Sequence, residues 1–124
     1  MAGYIKVEVE KLKLKFINSK VNAVVFERFQ KKCKERNLQM CTVIETFARQ
    51  YSKGHYKIDE NDIRKWKKNF GETAVLNTPI NKEVYEDFKY EVKSNGYFVK
   101  YVLMAFVEDY ANKDLIMEFR MIDK

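Results

Sequence analysis

Histidine, cysteine and proline are scarce in this chain of 124 residues: one His, two Cys and one Pro. Each scarcity excludes something. His55 is the only imidazole and sits in the polar stretch Lys53-Gly54-His55-Tyr56, which leaves little material for Ser/His or Cys/His nucleophilic catalysis. Cys33 and Cys41 lack CxxC spacing, and no further Cys or His cluster completes a metal site. Their pairing as a disulfide is not expected without an export signal. GxSxG, P-loop and GxGxxG patterns are missing. Neither an enzyme nor a cofactor is expected. One Pro and four Gly are too few for a linker-like or low-complexity protein. No apolar run approaches the roughly 18 residues of a membrane span. Met1-Ala2-Gly3-Tyr4 has neither the basic flank nor the apolar stretch of a secretory signal. A soluble, cytoplasmic protein with no membrane partner is the expectation.

Apolar residues, in contrast, make up 46% and aromatics 15% of the chain, enough for the core of a single domain. The net charge of +6 divides unevenly. Residues 1–71 carry 17 Lys and Arg against 8 Asp and Glu, whereas residues 72–124 carry 7 against 10. A basic half suggests a polyanionic partner, usually nucleic acid; a lysine-rich solvated face would give the same balance.

Sliding the chain against itself by 59 positions lays Phe16–Tyr51 onto Val75–Tyr110 without a gap. Asn18/Asn77, Asn22/Asn81, Val25/Val84, Glu27/Glu86, Phe29/Phe88, Lys34/Lys93, Phe47/Phe106 and Tyr51/Tyr110 are identical pairs. Most apolar positions in one copy meet an apolar position in the other, so the chain reads as a tandem repeat. Each copy opens with an extended segment, Phe16–Val21 or Val75–Ile80, closed by Asn22 or Asn81 as a helix N-cap. A first helix carries Val25, Phe26, Phe29 and Cys33 on one face, matched by Val84, Tyr85, Phe88 and Val92. Asn37 and Gly96 stop it, the residue types that best tolerate a left-handed terminus. A second helix carries Val43, Ile44, Phe47, Ala48 and Tyr51, matched by Val102, Leu103, Phe106, Val107 and Tyr110. Between the copies, Asp59 opens a short helix with Ile63, Trp66 and Phe70 on one face. Lys65, Lys67 and Lys68 cover its other side as candidate phosphate contacts, and Gly71 ends it.

One strand and two helices bury little alone. Two copies solve this together: the strands pair antiparallel, and four helices pack beneath them around one core with Phe29, Phe47, Phe88 and Phe106 at its centre. The expected fold is mainly α with a short β-ribbon. The chain divides into copies at 12–53 and 73–113, a linker at 54–72 with its basic helix, and a tail at 114–124.

The stretch LNTPINKEVYEDFKYEVKSNGYFVKYVLMAFVEDY resembles the ribbon-helix-helix, or Arc-type, DNA-binding family. The likeness covers about 40 residues of the second copy, and the first follows through the repeat. It implies a tandem, single-chain pseudo-dimer, a form associated with accessory proteins of plasmid DNA processing. In that family alternate ribbon residues enter the major groove and meet base edges, while amides at the start of the second helix hold phosphates. Carried over, the outward residues are Phe16, Asn18 and Lys20, with counterparts Val75, Asn77 and Pro79. Asn suits adenine and Lys suits guanine or a phosphate, so Asn18, Lys20 and Asn77 are the candidate readers.

The sequence departs from the family in three places. Gln39 and Phe98 stand where a Ser, Thr or Asp cap is usual, leaving Thr42 and Lys100 as phosphate contacts. Val75 and Pro79 make the second strand a weak reader. The third departure is upstream, where the apolar alternation slips near Glu10–Lys11 and again at Phe16–Ile17. A strand turned over there would expose Lys13 and Lys15 and bury Asn18. The N-terminal arm and the alternating Leu115, Met117, Phe119 and Met121 read as extra terminal strands, or the latter as a continued last helix. The expected function is sequence-specific duplex DNA binding by a transcriptional regulator or DNA-processing factor of a phage or plasmid, with higher oligomers forming on DNA. The alternative is an inhibitor that engages a host protein through the same fold.

Overall fold

The 59-residue shift reappears in the element boundaries of the computed structural model, which describes residues 13–113. In chain order these are β1 (Leu14–Asn22), α1 (Ala23–Glu35), α2 (Met40–Ser52), α3 (Glu60–Lys68), β2 (Thr73–Asn81), α4 (Lys82–Ser94) and α5 (Val99–Asn112). Among the described residues the architecture is therefore mainly helical, with one two-stranded antiparallel sheet. The terminal strands expected before Lys13 and after residue 113 lie outside the described residues.

The punctuation residues act as their chemistry demands. Asn22 Oδ1 accepts from the Val25 amide at 3.1 Å, and Asn81 Oδ1 from the Val84 amide at 3.2 Å. Each thereby satisfies one of the free donors that open a helix. Asn37 and Gly96 have φ of 60° and 81°. That turn lets the amides of Leu38 and Tyr97 donate back to the carbonyls of Cys33 and Val92 at 2.9 and 3.0 Å.

The strands pair one to one from Leu14↔Asn81 to Asn22↔Thr73, with no bulge and with Asn18 opposite Asn77 at the centre. One hydrogen bond extends each end: Ala23 N–H donates to the Glu72 carbonyl at 2.8 Å, and Lys82 N–H to that of Lys13 at 2.6 Å. Ile17, Val21, Leu76, Thr78 and Ile80 point into the core. The slip at Phe16–Ile17 is thus resolved without turning the strand over. Ile17 is buried, and Phe16 is left 60% exposed.

Beneath the ribbon, α1 packs on α5 and α2 on α4, so each helix of one repeat meets the other repeat. At the junction the rings of Phe47 and Phe106, equivalent under the shift, stack 4.0 Å apart and 8° from parallel. Phe88 meets Phe47 edge-on at 5.5 Å, and Phe29 meets Phe106 at 6.4 Å. All four are fully buried.

The linker closes the far side. Tyr56 stands edge-on to Phe47 and Phe106 at 5.1 and 5.6 Å. Asp59 caps α3 by accepting from the Asn61 amide at 2.9 Å, and Ile63 and Trp66 bury its apolar face against α5. The helix stops at Lys68, with Asn69 as its C-cap, two residues before the expected stop at Gly71. Gly71, at φ 75°, instead turns the chain towards β2. A Cβ there would lie 2.8 Å from the Asn22 Nδ2 that donates to the Phe70 carbonyl.

Cys33, on the buried stripe of α1, is 3% exposed, and burial pushes its thiol up to about 11. Cys41 is half-buried, with its Sγ 3.5 Å from Gln39 Oε1. A thiol reagent at neutral pH is therefore expected to modify Cys41 in the native protein and Cys33 only after denaturation, since the thiolate is the reactive form. Equal native labelling rates, read by mass spectrometry, would contradict this packing of α1.

Candidate nucleic-acid interface

Alternation along a strand sends every second side chain to one face. Here the face turned away from the helices carries Phe16, Asn18 and Lys20 on β1 and Thr73, Val75, Asn77 and Pro79 on β2. Asn18, Lys20 and Asn77 are exposed, as the sequence expectation requires. Pro79 is half-buried. Asn18 and Asn77 are partners twice over: they face each other in the ribbon, and each is the other's equivalent in the repeat. Any local symmetry of the face is therefore centred on these two amides. Directly opposed side chains on one face of an antiparallel pair have Cβ atoms about 5 Å apart, so the two carboxamides form one patch.

Charge on this face comes from β1 alone, because β2 contains no ionisable residue. Lys15 belongs to the inward phase, opposite Ile80, yet lies exposed near the strand's start beside exposed Lys13. Lys20 stands at the other end, across from Val75.

The helix starts flanking the ribbon are uncapped. Gln39 before α2 and Phe98 before α5 have extended backbones and give no side-chain cap. Their first-turn amides thus keep the partial positive charge that attracts anions. Thr42 is exposed on the first turn of α2. At α5 the structure gathers candidates that are distant in sequence. Lys67 Nζ lies 6.0 Å from the centre of the Phe98 ring. Lys100 Nζ lies 4.5 Å over Phe70 and 5.6 Å over Tyr101. Lys68, the last residue of α3, is exposed. This corner adjoins the Lys20 end of the ribbon. The Asn22 amide donates to Met104 Sδ of α5 at 3.1 Å, and Asn22 Nδ2 reaches the Phe70 carbonyl at 2.9 Å.

Lys65 is placed differently from its neighbours. Its Nζ lies 2.6 Å from Glu108 Oε2, while Trp66 Nε1 donates to Oε1 of the same carboxylate at 3.1 Å. Burial, then the carboxylates of Asp109 and Glu108, push the nearby Asp62 carboxyl above its ordinary value. Lys65 therefore sits among carboxylates and serves to dock α3.

One residue that positions the ribbon escaped the sequence reading. Glu45 Oε1 accepts from the Asn81 amide at 2.6 Å, and its Oε2 pairs with Arg49 at 3.2 Å. Its equivalent under the shift is Met104, whose sulfur accepts from the Asn22 amide. The two repeats thus tie their strand ends through the same slot with unlike chemistry, which a search for matched residue types passes over.

Among the described residues no helix is long and apolar enough to cross a membrane, and no group of three His, Cys, Asp or Glu is placed to hold a metal ion. Comparison of the chain with protein-family models, curated proteins and solved structures gives no match.

Proposed function

We propose that the protein binds duplex DNA sequence-specifically as a tandem ribbon-helix-helix pseudo-dimer, with copies at 12–53 and 73–113, and regulates transcription or assists DNA processing for a phage or plasmid. The observation that carries this reading is the exposed Asn18–Asn77 pair at the centre of a ribbon whose first strand bears lysines. A two-stranded ribbon fits the major groove, and Asn offers adenine a donor and an acceptor at once. Lys13, Lys15, Thr42, Lys67, Lys68 and Lys100 are assigned to phosphates, with the uncapped starts of α2 and α5.

Titration of the purified chain against its own upstream DNA and against random duplex, across a range of salt, tests the proposal. The expected result is affinity that falls steeply with salt and a preference for the upstream sequence over random duplex of at least about 10³-fold. Weak binding that ignores sequence favours the second reading, a protein-binding inhibitor. Leu14, Phe16 and Val75, each at least half exposed on or beside the ribbon, are the observation in its favour.

A further inference from the structure

Duplex binding leaves open which duplex. The outward face of the ribbon is specific enough to narrow the class of site. Successive outward residues on a strand lie about 6.7 Å apart. Two base pairs rise about 6.8 Å. A strand lying along the groove therefore presents one outward side chain for every second base pair.

We infer, building on the proposed DNA-binding role, that the preferred site is an A·T-centred duplex with unlike flanks: thymines under Phe16 and a guanine under Lys20. Three placements carry this. First, Asn18 and Asn77 are opposed in the ribbon and equivalent in the repeat. Bases read by such a pair are related by a local twofold, and Asn pairs best with adenine through N6 and N7. One adenine on each strand makes the central step self-complementary, AT or TA. Second, the neighbours on the face are apolar where a polar reader would be expected. Phe16 is 60% and Val75 56% exposed, and the only apolar feature in the major groove is the thymine methyl. Third, the two ends of the face differ. Phe16 lies across from Pro79 at one end, and Lys20 across from Val75 at the other. Pro79 occupies the repeat position of Lys20 and offers no hydrogen bond to a base. Only one flank therefore meets a donor able to reach guanine O6 and N7. The other end is read by apolar contact alone. A single chain with two unequal strands thus selects a site that is palindromic at its centre and asymmetric outside it.

Selection of the full chain on a pool of random duplexes tests this, followed by competition at fixed salt with the selected site. Expected are an enriched AT or TA centre, thymine on one flank and guanine on the other. Replacing the Phe16-side thymines by deoxyuridine, which removes only the methyl, should weaken binding by several-fold. That sensitivity should vanish in Phe16→Ala. Lys20→Gln should relax the guanine preference by roughly 5- to 150-fold and leave the centre untouched. Salt-sensitive, sequence-specific binding to a site without the A·T centre, or with two equal flanks, would overturn this inference and leave the DNA-binding reading standing. Indifference to deoxyuridine would overturn the Phe16 assignment in the same way. Failure to bind any duplex would overturn both.

Discussion

Phe47→Ala is expected to destabilise the protein by about 3–5 kcal/mol, the usual cost of emptying a large aromatic site in a packed core. Three neighbours raise it towards the upper end: Phe106 stacked at 4.0 Å, Tyr56 edge-on at 5.1 Å and Phe88 edge-on at 5.5 Å. Domains of this size are stable by only about 5–15 kcal/mol, so urea unfolding should show a midpoint shifted far down with little change in slope. Phe106→Ala should cost a similar amount. The double variant should lose less than the sum, because either truncation already forfeits the stacked contact. The same packing makes each half dependent on the other. Helix α1 rests on α5 and α2 on α4, so neither residues 1–71 nor 72–124 should fold cooperatively as a monomer. Cooperative unfolding of either fragment alone, or additive losses in the double variant, would refute the shared core.

Asn18→Ala is expected to cost about 1–3 kcal/mol at the preferred site and almost nothing on random duplex, because a side chain that reads a base edge contributes only where that base is present. Lys67→Gln with Lys68→Gln should do the reverse. Binding to every duplex should fall alike, with the salt dependence flattened by up to about one unit per lost phosphate contact. Lys65→Gln supplies the contrast. Its ammonium belongs to Glu108, and a half-exposed pair of this kind contributes at most about 1 kcal/mol to stability. DNA affinity should hold in that variant. Parallel equilibrium titrations of the three variants on both duplexes decide the matter. Equal losses for Asn18→Ala on the two duplexes would remove it from the readout.

The features legible in the sequence are those that repeat. The stripes at Val25, Phe26, Phe29 and Cys33 and at Val43, Ile44, Phe47, Ala48 and Tyr51 are buried throughout, since burial imposes a helical period on them. In the second copy Tyr85 alone is only half-buried. The caps at Asn22 and Asn81 are also local, and so they are readable. Phe16 was ambiguous because a large exposed aromatic beside a buried Ile17 breaks alternation for a functional position and for a folding error alike. The pairings with no local trace stayed hidden: Lys65 and Trp66 on Glu108, Tyr56 beneath the stacked rings, Glu45 on the Asn81 amide. Apart from Phe47, nine residues before Tyr56, their partners lie 36 to 50 residues away in sequence, and only the packing of the linker against α5 and of the ribbon against α2 brings them together. The same packing brings Lys67 to within 6.0 Å of the Phe98 ring at the start of α5, the helix that carries Lys100. Lys65, two residues before Lys67 on the same helix, is drawn by Glu108 to a different neighbourhood.

Both strands of the ribbon belong to one chain, joined through α1, α2 and the docked helix α3. Strand pairing is consequently a unimolecular event, governed by the effective concentration that the join imposes. A ribbon assembled from two separate polypeptides melts at a temperature that depends on how dilute it is. This one is expected to keep its melting temperature on dilution, since both strands belong to one chain. It reaches any partner with both strands already in register, so its encounter rate rises with the first power of its concentration and a handful of molecules per cell retain the paired surface.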